Sequence, residues 1–405
     1  MLKNIGFYGL SHMGLCYSAA FAKKKLNVIA IDSNKKKITN LNKNILDIYE
    51  KGLLKIIKSK KIIFSSNINE LNKCEIIFYS NDVRTNVKNI SNMIDIRKQI
   101  LNLDRKIDKR IPFIILSQVH PGFTRSLCLK RKLFYQVENL IFGDAVYRAL
   151  CPERIIIGKK NINILLDKKI SNLLKLFSHN IIEMSYESAE LSKISNNLML
   201  ISSIMTSNLI SLYCEKINAR WSDIKKSLHL DKRIGKFAYL NPSPGLSGGN
   251  LERDLMYSKN FFNYAKIFTS WIDLDRKMKM WTVNLLKKKL VKKSSLLICG
   301  LSYKENTISI KNSLSLFLLK KLNKVYDITI LEKNKQLNKF IKNKIINNML
   351  DNKKKFDGII FVNSSYKPNF IKLFGKKNTF YIDPYGFFKK YYINKNISYS
   401  SIGNN

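Results

Sequence analysis

Acidic residues are scarce in this chain. Its 405 residues include 29 Asp and Glu against 72 Lys and Arg, a formal net charge of +43. Such an excess marks either a polyanionic partner, nucleic acid or anionic lipid, or a composition rich throughout in Lys, Asn and Ile. The lysines are spread over every region rather than gathered on one helix or tail, which favours composition, and nucleic acid is not the expected partner. A positive field would still draw in an acidic substrate. Metal-ligand spacing is also missing. Cys16, Cys74, Cys128, Cys151, Cys214 and Cys299 are scattered, with no C-x-x-C and no Cys/His cluster. No metal site is expected, and a reduced cytoplasmic setting fits better than a secreted disulfide scaffold. No run reaches the ~20 apolar residues needed to span a bilayer. The most apolar stretch, residues 198–214, carries Ser202, Ser203, Thr206, Ser207 and Asn208 and reads as a buried helix, so no membrane partner is expected. The first residues mimic a signal peptide but are interrupted by Ser11-His12 and lead into the strand-like "LNVIAID".

What is present suffices for full cores. Apolar residues make up 45%, and the length predicts two or three domains. "NIGFYGLSHMGLCYSAAFAKKKLNVIAID" predicts strand, tight turn, helix and strand. A short apolar run, residues 5–8, ends at Gly9. A helical stretch continues to about Lys25, and a second apolar run, residues 28–31, ends at Asp32. This is the layout of a dinucleotide-binding unit. The turn reads Gly9-x-Ser11-x-x-Gly14, with serine at the middle position, where the backbone approaches a pyrophosphate. Asp32 is placed to hydrogen-bond a ribose hydroxyl, which favours NAD over NADP. A purely structural βαβ unit is the other reading of the same residues. Further strand-like runs at residues 75–80, 113–117 and 154–158 alternate with helical stretches, which predicts a parallel sheet with helices on both faces. Ligands then sit at the strands' carboxyl ends, here residues 9–14, 81–85 and 117–124.

Residues 186–216 read as one long helix. Lys193 and Asn197 lie four apart on it and share a face; alone, such a pair is ordinary in a chain full of both residues. Past residue 285, "KKSSLLICGLSYKENTISIKNSLSLFLLKKL" again reads strand, loop, helix. "YDITILEKN", "KFDGIIFVNSS" and "NTFYIDPYG" read as further strands. The expected fold class is therefore α/β: two Rossmann-like doubly wound parallel-sheet domains joined by a long central helix and a small helical domain.

That order, with several local strings, resembles the UDP-glucose/GDP-mannose dehydrogenase family over nearly the whole chain. "GLSHMGL" is similar to the family's G-L-G-Y-V-G-L, and "LNKNILDIYEKGL" to L-N-x-G-x-x-P-I-Y-E-P-G-L. "SQVHPGFTR" resembles S-T-V-P-x-G-T, and "YRALCPERIIIG" resembles Y-D-x-L-x-P-x-R-I-V-I-G. "AELSKISNNLML" matches A-E-x-x-K-x-x-x-N-x-x-L. "DKRIGKFAYLNPSPGLSGGNLERDL" follows D-x-R-I-G through N-P-S-x-G-x-G-G-x-C-x-P-K-D. "GLSYKENT" matches G-x-x-Y-K-x-N-T, and "YSSIG" fits Y-x-x-I-G.

The resemblance implies two successive oxidations of a nucleotide sugar at C6 by NAD, with an active-site cysteine that traps the aldehyde and later leaves from a thioester. A thiolate both attacks and leaves; a carboxamide does neither. Here Asn250 holds the cysteine's position. The threonine of S-T-V-P is Gln118, and the second glutamate of N-P-E-F-L-R-E-G is Phe142. In the D-x-R that follows K-x-N-T the acid is lost to Ile308 or Ser309 and the arginine is replaced by Lys311, which loses bidentate recognition of a diphosphate. Retained are Lys193 and Asn197, matching the pair that stabilises oxyanion character at C6, and Asp254, matching an aspartate in proton transfer. The implied catalytic set is therefore Lys193, Asn197, Asp254 and position 250. The implied NAD-binding set is Gly9, Ser11, Met13, Gly14, Asp32, Thr85 and Gln118. The implied substrate set is Glu138, Arg233, Asn241, Ser243, Gly245, Gly248, Lys304 and Lys311.

The implied domains are residues 1–183 for NAD, residues 184–285 for dimerisation and the active-site loop, and residues 286–405 for the nucleotide sugar, UDP-linked by expectation. The expected protein is a cytoplasmic homodimer acting in polysaccharide biosynthesis, stopped after one hydride transfer. A catalytically inactive NAD- or nucleotide-sugar-binding homologue is the alternative.

Overall fold

The structure is a computed structural model describing residues 4–83, 85–86, 91–305, 307–347, 354–392 and 397–404, with the backbone alone at Phe370. Asn306 of the "GLSYKENT" string lies outside the described residues. The chain forms two compact units, Met1–Asn196 and Asn197–Asn405.

The first unit begins β1 (Ile5–Tyr8), α1 (His12–Lys23), β2 (Val28–Ile31), α2 (Lys35–Asn42), α3 (Leu53–Lys58) and β3 (Ile62–Ser65). It continues with β4 (Ile76–Tyr79), α4 (Met93–Lys106), β5 (Phe113–Ile115), α5 (Phe123–Ser126) and β6 (Leu133–Gln136). Then come α6 (Ala145–Leu150), β7 (Ile155–Lys159), α7 (Lys168–Lys175) and β8 (Ile181–Ser185). Among the described residues the strands order as β3-β2-β1-β4-β5-β6-β7-β8. The reversal between β1 and β4 is the switch point at which doubly wound sheets open a crevice. Every residue of β1, β2 and β4 is buried, as strands covered on both faces must be, which explains their unbroken apolar runs. The sheet departs from the expected parallel arrangement at one pair: β6 and β7 run antiparallel.

Helix α1 has legible ends. Ser11 is its N-cap and accepts from the Gly14 N–H at 3.4 Å. At the other end Lys25 sits at φ +65° and the Leu26 N–H donates to Phe21 O at 3.3 Å, a left-handed stop that ends the helix at Lys23 rather than Lys25.

Helix α8 (Tyr186–Ile217) runs 32 residues, about 48 Å, and the division between the units falls within it. The second unit continues with α9 (Trp221–Leu230), α10 (Asn250–Phe261) and α11 (Lys266–Lys289). Its α/β part comprises β9 (Ser295–Cys299), α12 (Leu314–Leu322), β10 (Asp327–Leu331), β11 (Lys344–Ile346), β12 (Phe356–Phe361), α13 (Pro368–Ile371), β13 (Gly375–Ile382), α14 (Lys389–Tyr392) and β14 (Tyr399–Ser400). The sheet, parallel throughout, orders as β11-β10-β9-β12-β13-β14. Its last strand, the "YSSIG" end, also feeds the helices: the Trp221 N–H donates to Gly403 O at 2.9 Å, and the Gly403 N–H to Glu215 at 2.9 Å.

Candidate active site

In the first unit the turn after β1 is a cradle. Gly9 has φ +96°, and a Cβ there would lie 2.2 Å from Asn81 Oδ1. A Cβ on Gly14 would lie 2.0 Å from Gly9 O, so only glycine lets α1 start this close to the strand. Ser11, by contrast, has φ −60° and ψ 179°, a conformation open to any residue. Serine here costs no backbone strain, and its hydroxyl donates to Ser80 O at 2.7 Å. Met13 is buried in the first turn of α1. Asp32 ends β2 and accepts the Leu10 N–H at 2.9 Å and the Asn34 N–H at 2.9 Å, one per oxygen. Each carboxylate oxygen keeps capacity for a further donor. A nucleotide with a ribose and a diphosphate fits this donor set: a bare helix start for the phosphates and an acid at the end of β2 for the sugar. Thr85 and Gln118 lie in the loops after β4 and β5.

A second network lies alongside. His12, the first residue of α1, stacks on Phe142 at 4.1 Å between centroids, and its Nε2 lies 2.6 Å from Glu50 Oε1. Glu50 is buried and also accepts the Gly143 N–H at 2.7 Å and the Ala145 N–H at 3.0 Å. It therefore ties the turn to the loop that carries Glu138. Glu190 does the same for another loop. It is fully buried and accepts from Gly122 N at 2.6 Å and Thr124 N at 2.8 Å. Burial raises its carboxyl above the usual range. Sequence places both acids inside family-like strings and assigns neither a role; a single acid with no partner nearby in sequence gives no local signal.

Lys193, only 7% exposed, donates to Glu138 O at 2.7 Å and stands 3.2 Å from the Glu138 carboxylate. The expected catalytic lysine and the expected substrate-binding glutamate are thus brought together. An ammonium has three N–H bonds, so these two partners leave one for an incoming oxygen.

In the second unit Asn197 Nδ2 donates to Asp254 Oδ2 at 2.5 Å, and Arg253 Nε donates to Asp254 Oδ1 at 3.1 Å. Asp254 is 3% exposed. Arg253 was not among the expected site residues; its place beside Asp254 in sequence gives no signal that its side chain turns back onto that carboxylate. The loop before them is held from several sides. Ser243 N donates to Asn208 Oδ1 at 2.7 Å, and Leu246 N to Asp275 Oδ1 at 2.5 Å. Gly245, at φ +99°, would meet Asp275 and Lys279 with any Cβ. Asn250 is exposed as the first residue of α10, capped by Gly249 without a side-chain bond.

The loop 300–313 joins the same place. Gly248 N donates to Lys311 O at 3.2 Å, Asn312 Nδ2 to Gly248 O at 2.8 Å, and the Lys311 side chain runs beside Gly249. Lys304 lies in that loop, where its carbonyl accepts from Ser302 Oγ at 2.7 Å. Asn241 accepts from Lys225. Arg233 stands apart from this set, with its side chain 88% exposed and paired with Asp231 at 2.6 Å. Neither cysteine of the second unit offers a thiolate: burial raises the thiols of both Cys214 and Cys299. Among the described residues no cluster of His, Cys, Asp and Glu could hold a metal.

Comparison with known proteins gives the family and the fold. The NAD binding domain of the UDP-glucose/GDP-mannose dehydrogenase family matches residues 3–178, and that family's central domain matches residues 187–278. The chain is 29% identical to a UDP-glucose 6-dehydrogenase of Rickettsia bellii over 79% of its length and 78% of the relative. It is likewise 29% identical to one of Campylobacter jejuni, over 78% and 82%. A UDP-glucose dehydrogenase structure from Pyrobaculum islandicum superposes with a TM-score of 0.85 at 18% identity, covering 100% of this chain and 98% of the other. A UDP-N-acetyl-mannosamine dehydrogenase from Staphylococcus aureus does so at 0.79 and 17%, covering 99% and 98%. At such identities the two structures speak for the fold.

Proposed function

This chain belongs to the UDP-glucose/GDP-mannose dehydrogenase family, and on that premise we propose an NAD-dependent oxidoreductase that takes a nucleotide-sugar alcohol to the aldehyde and stops there. The observation that carries the reading is the pairing of Lys193 with Glu138 and of Asn197 with Asp254, both buried, while a carboxamide heads α10. Groups for the alcohol–aldehyde step are kept and oriented; the group for the covalent second step is absent. NAD, when bound, would supply the hydride acceptor; Gly9, Ser11, Met13, Gly14, Asp32, Thr85 and Gln118 would hold it. Lys193 donates a hydrogen bond to the alcohol oxygen as negative charge grows on it. Asn197 and Arg253 fix Asp254, whose carboxylate accepts the hydroxyl proton. Glu138, Asn241, Ser243, Gly245, Gly248, Lys304 and Lys311 bind the nucleotide sugar, with a UDP-sugar the leading candidate, and Arg233, which stands apart from them, is left out of the set.

The test is a stoichiometry. Pure protein, NAD and a panel of UDP- and GDP-sugars are mixed with an aldehyde trap, and reduced nicotinamide is counted per sugar consumed while mass spectrometry identifies the product. One per sugar, with trapped aldehyde, is expected; two, with abundant uronic acid, would sink the proposal. Asn250→Cys should raise the ratio towards two. Lys193→Ala should slow the single turnover by at least ~100-fold. If NAD fills its site and no sugar reacts, the chain is instead a nucleotide-sugar-binding homologue, a reading favoured by the loss of the thiol.

A homodimer completes the proposal. On α8, Met199 is 70% exposed, Leu209 60%, Tyr213 62% and Ile217 55%. The helix is long and apolar enough to cross a membrane by length and composition. Its Ser202, Ser203, Thr206, Ser207 and Asn208, with Asn208 bonded to the active-site loop, favour a second copy of the chain as the cover. We assign residues 286–405 as the nucleotide-sugar-binding domain, contributing Lys304 and Lys311, and the dimer contact to residues 184–285, in a cytoplasmic enzyme that supplies polysaccharide synthesis.

A further inference from the structure

The hairpin joining α10 to α11 is dense in aromatic residues and free of acids. Residues 256–271 hold six aromatics, Tyr257, Phe261, Phe262, Tyr264, Phe268 and Trp271, with Lys259 and Lys266. No acid occurs between Asp254 and Asp273. The rings form a continuous ladder. Tyr257 stacks on Phe261 at 5.9 Å, Phe261 meets Phe262 edge-on at 4.8 Å, Phe262 stacks on Phe268 at 6.3 Å, and Phe268 meets Trp271 at 5.7 Å. The inner end is anchored: Phe268 and Trp271 pack against the cluster of Ile201, Ile204, Met205, Leu246 and Leu255. The outer end is open, with Phe261 64% exposed, Tyr264 78% and Ile267 52%.

Folding gains nothing from leaving such rings in water, and their mutual contacts lower the ordering cost to be met when a partner arrives. We infer that this hairpin tip inserts into the headgroup region of an anionic lipid bilayer. Aromatic rings flanked by lysines suit that region: the rings sit between acyl chains and headgroups, and each lysine gains from anionic lipid. The charge decides between occupants. A second copy docking tip to tip would bring four lysines together in molecules of +43 each, whereas an anionic surface neutralises them. The contact is peripheral and independent of the catalytic reading, because neither ring nor lysine belongs to the catalytic or binding sets.

The experiment is flotation of the full chain with vesicles of pure phosphatidylcholine or with 30% phosphatidylglycerol, at low and high salt. Capture by the anionic vesicles alone, weakening with salt, is expected. The triple change Phe261→Ser, Tyr264→Ser, Ile267→Ser should reduce capture by at least ~10-fold, as should Lys259→Glu with Lys266→Glu. Leu165→Ser, at a site 91% exposed in the first unit, should leave capture unchanged. Each variant is first matched to the parent by circular dichroism and melting temperature. Unchanged capture of both multiple variants would mean that net charge alone acts and would overturn the proposal. So would no capture at all, or a triple variant that loses self-association by light scattering while no form binds vesicles.

Discussion

In both sheets the first strand ends on a glycine at positive φ, Gly9 at +96° and Gly300 at +101°. In both, the carboxylate ending the second strand accepts the next backbone N–H: Asp32 from Leu10 at 2.9 Å, Glu332 from Leu301 at 2.9 Å. In both, a Cβ on that glycine would strike an asparagine just past the neighbouring strand, Asn81 or Asn363, and a serine donates to the glycine carbonyl, Ser80 or Ser315. The two corners differ in how soon a helix begins. After Gly9 the helix opens at His12; after Gly300 it opens only at Leu314. The first corner therefore presents bare helix N–H groups to a diphosphate. The second fills that space with a loop whose Lys311 backbone bonds to Gly248. The glycine corner is a way of turning the chain, and on the function proposed above the position of the helix start makes the first of them the nucleotide site.

The largest expected effect breaks the corner itself. Gly14→Ala should weaken NAD binding at least ~100-fold, about 2.7 kcal/mol, because the new methyl collides with the Gly9 carbonyl. Gly300→Ala should leave NAD affinity unchanged within error while destabilising the second unit by ~1–3 kcal/mol in urea unfolding. Equal losses of NAD affinity would abolish the distinction. A smaller effect comes from the two acids. Asp32→Asn should weaken NAD binding by ~10-fold, about 1.4 kcal/mol. Glu332→Gln should cost about 1 kcal/mol of stability and no affinity, as isothermal titration would show.

The smallest contrast is a pH dependence carried by an acid at the end of a strand in the second sheet. Asp383, the residue after β13, is fully buried, accepts from Phe388 N at 2.7 Å and Tyr399 Oη at 2.9 Å, and is pushed up to about 6 by burial. Its folded value lies above the unfolded one, so the folded state holds this proton more tightly. The stability so gained is present at low pH and lost as pH rises through 6, about 1 kcal/mol between pH 5 and 8. Asp383→Asn should flatten that part of the profile in melts across this range; an unchanged slope would assign it to other groups.

Much of the fold was legible in sequence because it is local. Strands buried on both faces read as short apolar runs, the 32-residue helix read as one helix, and the glycine turn announced itself by spacing. The site was legible only in part. Lys193, Asn197 and Asp254 were marked by resemblance, but their partners were not. Glu50 and Gly143 are 93 residues apart, Glu190 and Gly122 68 apart, and Lys193 and Glu138 55 apart. No periodicity links residues at such separations. The antiparallel pairing of β6 with β7 escaped for the same reason: strand direction is set by the path of the connection between strands, and the strand's own residues look alike either way.

Sequence by itself determined the alternation of strands and helices, the glycine turn with its acid, and the carboxamide at position 250, since propensity, pattern and residue identity act over a few neighbours. Tertiary structure alone decided which acids hold which loops and that Asp254 is clamped by Asn197 and Arg253. Those outcomes depend on buried hydrogen bonds between distant segments, which form only once burial has removed water as the competing partner.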